Sequence, residues 1–187
     1  MTGMRTLEAD GLVLDPLIVA HAEPMFALLS DPPLYRYIGE TPPPDVEYLR
    51  ARYARLERRE SADGRQRWLN WVVRLPGQPP LGYVQATVLG DGSAWIAYLL
   101  GSVHQGRGYA TRATAAMLAH LESEHGTSRL LANVEAENLP SIRLLQRLGF
   151  RAATPVEAAR HESAASERIF VRERLAGAGA ADATAAT

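Results

Sequence analysis

Neither cysteine nor lysine occurs among the 187 residues. Without cysteine the chain has no disulfides, no thiolate metal ligands and no thiol nucleophile to form a covalent intermediate. Without lysine all 20 basic residues are arginine, and 21 acids balance them to a net charge of -1, which leaves no basic surplus for nucleic acid. Long apolar runs are missing too. Nothing approaches the ~18 residues of a membrane span, and the opening MTGMRTLEADG lacks the apolar segment of a signal peptide. His21, His104, His120, His125 and His161 show no metal-ligand spacing such as HExxH, and no serine stands in G-x-S-x-G, so neither a metal nor a serine nucleophile is expected. What is present is an ordinary globular composition with 47% apolar residues, enough for one domain with a real core, and a cytoplasmic location is expected.

The chain is organised around Trp95 to Met117, WIAYLLGSVHQGRGYATRATAAM, which reads as an apolar strand, a glycine-bearing turn and a helix. The first amides of a helix have no carbonyl partner within it, so the turn Gln105-Gly106-Arg107-Gly108-Tyr109-Ala110 gathers free N–H groups. Two glycines let an anion approach the backbone, the helix dipole favours it, and Arg107 and Arg112 add charge. A diphosphate suits that point. The spacing Gly101 to Gly106 imitates a P-loop, but the Gly-Lys-Ser/Thr that holds a nucleotide is absent. A dinucleotide fingerprint also fails at Thr111, where a third small residue is required. The pattern that remains is Gln-x-x-Gly-x-Ala, met by Gln105, Gly108 and Ala110, although a strand-to-helix turn that binds nothing has the same local form.

Turn chemistry divides the rest of the chain. A strand from Leu12 to Leu17 closes at Asp15-Pro16, and a helix from about Val19 to Leu29 stops at Asp31-Pro32-Pro33. Tyr35 and Tyr37 lead into the stiff connector Thr41-Pro42-Pro43-Pro44, and Asp45 caps a helix to about Arg59. Strands are expected over Gln66–Arg74, with Trp68, Asn70 and Val72 on one face, then over Leu81–Leu89 and Ala94–Leu100. The central helix ends near Glu124-His125-Gly126. Arg129 to Glu135 follows as a buried strand, Asn138 caps a helix ended by Gly149, and two strands from Phe150 and over Arg168–Arg172 finish the domain at about residue 175. Residues 176–187, AGAGAADATAAT, have almost nothing to bury and are expected to be disordered. The alternation of elements gives a mixed sheet of about seven strands flanked by helices.

Two motifs at one distance make the pattern specific. The Gln105, Gly108 and Ala110 motif is followed, one helix and one strand later, by Asn138-Leu139-Pro140-Ser141 and by Leu148-Gly149-Phe150. Together they resemble the GCN5-related N-acetyltransferases (GNAT superfamily), specifically the RimJ/RimL branch, over about residues 10–174. The resemblance implies an α/β fold with a mostly antiparallel central sheet whose middle strands splay to admit acetyl-CoA. It implies that Tyr98, Leu99 and Leu100 hold pantetheine through their main chain, that Val103, Gln105, Gly106, Arg107, Gly108, Tyr109 and Ala110 bind the diphosphate, and that Asn138 and Ser141 bind the pantetheine end. Transfer would go to the primary amine of a small molecule or a protein N-terminus, with no nucleic acid or membrane involved and a homodimer compatible with the reading. A catalytically silent acyl-CoA-binding module of the same fold is the second class the sequence leaves open.

The reaction needs a proton acceptor and a donor. Glu135, on the face of its strand that carries Asn133, is the leading carboxylate to take the amine's proton through water, although a solvated surface role fits it as well. Related enzymes often carry Tyr seven residues after the capping Asn. Here that position is Leu145, and Ser141 is the hydroxyl left to serve the departing sulfur. The acceptor mouth is expected around Tyr35, Tyr37, Trp68 and Asn70, with His161 and Glu157 as further candidates at its border.

Overall fold

Asp10 and Gly11 make the first hairpin, because both adopt positive φ, 45° and 81°, and a two-residue turn of that hand matches the twist of the strands it joins. The computed structural model describes residues 4–174, so the tail expected over 176–187 lies outside the described residues. The hairpin joins β1 (Leu7–Ala9) to β2 (Leu12–Pro16), and β1 adds an eighth strand to the seven expected from sequence. Then come α1 (Ala22–Leu29), α2 (Val46–Leu56), β3 (Gln66–Arg74), β4 (Pro80–Leu89) and β5 (Ser93–Leu100). The chain continues through α3 (Tyr109–Glu124), β6 (Arg129–Glu135), α4 (Leu139–Arg147), β7 (Arg151–Ala152), α5 (Pro155–Ala158) and β8 (Glu167–Glu173). Two helices are shorter than expected. Val19–His21 is a separate 3₁₀ turn, and α2 stops at Leu56 because Arg59 enters the left-handed region at φ 66°.

The sheet order is β1-β2-β3-β4-β5-β6-β8-β7, antiparallel except between β5 and β6. That parallel pair is joined only at Ser93–Trp95 against Arg129–Leu131. From Ile96 and Ala132 onward the two strands part, and each finds its other neighbour instead: β5 stays paired to β4 through Leu100, and β6 to β8 through Glu135. A wedge opens between their C-terminal ends. The splay expected from the family resemblance is present.

Alternation along the strands makes two packed layers. Leu69, Trp71 and Val73 of β3, with Val84, Ala86, Ile96 and Leu100, bury against Ala113, Met117, Leu118 and Leu121 of α3 and Leu145 of α4. The opposite face sends Val72 and Leu99 against Met25 and Leu29 of α1 and Leu49 and Tyr53 of α2. A fully buried leucine contributes about 1.5–3 kcal/mol, so α3 and α2 are fixed chiefly by these stripes. The histidines serve packing: His120 stacks edge-on against Trp71 at 5.5 Å and against His125 at 5.2 Å. Burial, with Arg67 and His120 nearby, brings His125 down to about 4 and keeps it neutral.

Gly82 fixes the junction of β4 and β5. It pairs with Leu100, and a Cβ placed on it would lie 2.0 Å from the Leu99 carbonyl oxygen, so no other residue fits without moving backbone. Beside it the Gly101 N–H donates to the Leu81 carbonyl at 2.9 Å, locking the end of β5 where the wedge begins.

Candidate active site

The turn after β5 is built to leave amides free. Gly106 and Gly108 hold φ of 76° and 75°, and Gly108 is the N-cap of α3 with no side chain to satisfy its first turn. Among the described residues, the N–H groups from Gly106 to Thr111 have no protein acceptor. A Cβ at Gly106 or Gly108 would meet nothing within 4 Å, so the turn is not packed against the rest of the protein at these positions. Such a cradle fits a diphosphate.

Its surroundings sort the sequence candidates. Gln105 donates its side-chain amide to the Leu100 carbonyl at 3.2 Å, so this residue of the motif ties the turn to the end of β5. Val103 lies on the 3₁₀ turn between them and is 73% exposed, leaving an apolar side chain at the cradle's edge. Arg107 is exposed and has no ion pair among the described residues, whereas Arg112 is engaged elsewhere. Arg112 donates to the Asp10 carbonyl, pairs with the Asp10 carboxylate at 3.4 Å and stacks over the Tyr109 ring at 5.1 Å, pinning α3 to the first hairpin. Of the two arginines expected to add charge to the cradle, the geometry leaves Arg107 for that work.

Across the wedge, Asn138 Oδ1 accepts from the Ser141 N–H at 3.2 Å as the cap of α4, and its Nδ2 has no acceptor among the described residues. The Tyr98 side chain reaches from β5 to this turn, where its hydroxyl and Ser141 Oγ share a hydrogen bond of 2.7 Å. It also donates to the Ser141 carbonyl at 3.2 Å. Burial pushes the Tyr98 phenol up to about 12, partly offset by the Ser141 bond, so it stays protonated. Sequence reasoning assigned Tyr98 a main-chain role and did not foresee this side-chain bridge. Leu145, one turn beyond Ser141, is wholly buried and has no proton to give. Glu135 closes β6 at the open end of the wedge, its Oε1 accepting from Ser166 Oγ at 3.0 Å.

On the other face, a cavity of about 540 Å³ lies between the β3–β4 surface, α2 and the proline-rich connector. Tyr35 and Asn70 line it, whereas Tyr37 and Trp68 do not. Tyr37 lies under the Arg36 guanidinium at 5.1 Å, and the Trp68 indole donates to Gln66 Oε1 at 3.1 Å. Lining residues that sequence reasoning missed include Tyr53, Tyr83 and Gln85. The i, i+4 pair Leu49 and Tyr53 on α2 was a signal for the first. Tyr83 of its lining pairs with Leu99 of β5, so one strand separates the cavity from the wedge. Glu157 lies apart from it, held by two 2.8 Å bonds from Arg151, which keep its carboxyl far below the usual range, and His161 stacks on Trp95 at 5.1 Å.

A cradle of free amides and a wedge between two parallel strands are the features that the GNAT resemblance leads one to expect. A family model described as an acetyltransferase (GNAT) domain matches residues 11–151, and the chain belongs to that family. It is an acetyl-CoA-dependent acetyltransferase. The chain is similar to the uncharacterized N-acetyltransferase p20 of Bacillus licheniformis, 29% identical over 150 residues, which is 79% of this chain and 83% of p20. Solved structures share the fold. Mycobacterium smegmatis RimJ in complex with CoA-disulfide aligns over 90% of this chain and 86% of its own, with TM-score 0.72 and 24% identity. RimL, the ribosomal L7/L12 alpha-N-protein acetyltransferase in complex with coenzyme A, aligns over 90% and 98%, with TM-score 0.77 and 14% identity. Among the described residues, no helix is long and apolar enough to cross a membrane and no cluster of metal-ligating side chains occurs.

Proposed function

We propose that the protein transfers the acetyl group of acetyl-CoA directly to the α-amine of a peptide or protein N-terminus, with both substrates held in one complex. The observation that carries this reading is the adjacency of the wedge and the cavity through the Tyr83–Leu99 pair, which sets a donor site and an acceptor site one strand apart. Bound acetyl-CoA supplies an activated thioester. The chain has no cysteine to take the acetyl group in between, so attack by the amine itself is the consistent route.

Within that reading the amides of Gly106, Arg107, Gly108, Tyr109 and Ala110 hold the diphosphate, with Val103 and Gln105 shaping its approach. The main chain of Tyr98, Leu99 and Leu100 and the Asn138 carboxamide hold pantetheine. Ser141 Oγ donates to the Tyr98 oxygen, and the Tyr98 phenol turns its one proton from the Ser141 carbonyl to the leaving sulfur, the task for which Leu145 has no group. Among the described residues the only carboxylate lining the cavity is Glu40, which is committed to an ion pair with Arg52, accepting from it at 3.2 Å. That favours an acceptor already deprotonated in part. An α-amine of pKa about 7.7 is on the order of a tenth free at pH 7, against on the order of one in a thousand for an ε-amine at about 10.4. Glu135 takes the released proton through water at the open end of β6.

Release of CoA measured with peptides of free N-terminus, the same peptides N-acetylated, and a lysine-containing peptide with blocked N-terminus tests this. Turnover is expected with the first set alone at neutral pH, rising with pH until the α-amine is free. Turnover confined to the lysine side chain overturns the N-terminal assignment. Acetyl-CoA binding with no turnover on any amine instead supports the silent acyl-CoA-binding module.

A further inference from the structure

The floor of the cavity carries a set of uncharged polar groups with nothing to bond. Asn70 is only 5% exposed as a residue, yet its carboxamide has no hydrogen-bond partner among the described residues. Gln85 stands directly opposite it in the β3–β4 register, and its amide is likewise without a partner. The Tyr53 and Tyr83 hydroxyls, on α2 and β4, complete the group, and none of these polar atoms is sealed inside protein. They open into the cavity. Burial holds both phenols well above their ordinary value, so the floor is neutral over the whole physiological range.

Polar groups this deep are normally bonded, because an unpaired one loses water without compensation. A native fold that keeps an amide pair facing a cavity has left donors and acceptors for a guest. The charge of the lining narrows the guest further. Arg52 and Arg55 face one carboxylate, Glu40, and Arg52 already bonds it at 3.2 Å, so no free anion is left to receive a second cation on the acceptor.

We infer that Asn70 and Gln85 are the specificity residues of the acceptor site: they hydrogen-bond a carboxamide standing beside the acceptor amine, and so select amide-bearing amines over alkyl diamines and polyamines. A carboxamide offers both a carbonyl and an N–H, which two facing amides can satisfy together. The same chemistry is presented by the first peptide unit of a polypeptide and by a free amino-acid amide. This inference rests on the acetyltransferase reading above and names the substrate class of that site.

The test uses the full chain with acetyl-CoA and three acceptors: alaninamide, a tetrapeptide beginning with alanine, and 1,4-diaminobutane. The wild type is expected to prefer the two amides over the diamine in kcat/KM. Asn70→Leu, and separately Gln85→Leu, are expected to reduce that preference by about tenfold, because a site built around hydrogen bonds discriminates strongly against a guest that lacks them. A second readout separates a ligand-facing amide from a structural one. If the Asn70 carboxamide has no protein partner, Asn70→Leu leaves the urea unfolding midpoint unchanged or raises it, whereas a hidden structural bond would lower it. Tetrapeptide over alaninamide assigns the floor to polypeptide N-termini, and the reverse assigns it to free amides, both within the proposal. A wild-type preference for the diamine, an unaltered preference in both variants, or a lowered midpoint in Asn70→Leu overturns it while leaving the transferase reading intact. No CoA release with any acceptor overturns both.

Discussion

Replacing Gly82 by alanine is expected to lower stability by about 3 kcal/mol or more, the upper range for forcing atoms into a packed interior. The added Cβ would lie 2.0 Å from the Leu99 carbonyl oxygen and 2.8 Å from the Leu100 Cα, and neither is the tip of a side chain that could swing away. Relief requires β4 and β5 to separate at the point where β5 has already lost β6. Thermal unfolding should therefore shift down by roughly 6–12 °C for a domain of this size. Acetyl-CoA affinity should fall with it, since the same separation moves the main chain of Leu99 and Leu100. An unchanged melting temperature would show that the strands are not registered as described, and an unchanged affinity in a destabilised variant would free Leu99 and Leu100 from any part in holding pantetheine.

The second large effect is on turnover. Tyr98→Phe is expected to reduce kcat by roughly tenfold to a hundredfold, the range for a lost hydrogen bond to a group becoming charged. The reacting system must develop charge on sulfur as the C–S bond breaks. A Cys-like thiol of pKa about 8.5 puts the free thiolate uphill of the thiol at pH 7 by roughly 2 kcal/mol, so a donor at that atom is worth having. With its phenol raised to about 12, Tyr98 is the weaker acid of the two and serves as a hydrogen-bond donor that does not ionise. Ser141 steadies it through the 2.7 Å bond between the two hydroxyls, and Ser141→Ala should lower kcat several-fold. The double variant should be little worse than Tyr98→Phe alone, because the two hydroxyls act as one unit. The KM for acetyl-CoA should change little, and the deficit should shrink with a better thiol leaving group. Normal kcat in Tyr98→Phe, or strict additivity in the double variant, would remove the pair from catalysis.

Much of the site was legible because local rules governed it. Two glycines at positive φ before a helix, an Asn cap with Pro in the first turn and a Gly stop follow from backbone chemistry alone, and each is where sequence placed it. Strand alternation also predicted that Trp68, Asn70 and Val72 share a face. Strand β1 was missed although its signal was present, an Asp-Gly pair between Leu-Glu-Ala and Leu-Val-Leu. Other features depended on pairing that no local pattern states. Gln85 faces Asn70 only in the β3–β4 register found here, and Gly82 is indispensable only because Leu100 lies opposite. Tyr98 looked like one more apolar strand residue until the wedge brought it to Ser141, 43 positions away in the chain. Arg112 was expected to add charge to the cradle, but Asp10, 102 positions distant, competes for it.

The central claim is that the free amides from Gly106 to Ala110 hold the diphosphate of acetyl-CoA, and calorimetric titration of Gly108→Val beside the wild type tests it most directly. Gly108 stands at φ 75° with open space where a Cβ would go, so valine strains the turn that presents the amides without striking the core. Acetyl-CoA affinity is predicted to drop by about tenfold or more while the variant remains folded, a loss in keeping with displaced charge-assisted bonds to a phosphate. A folded Gly108→Val variant that binds acetyl-CoA as tightly as the wild type would contradict the account.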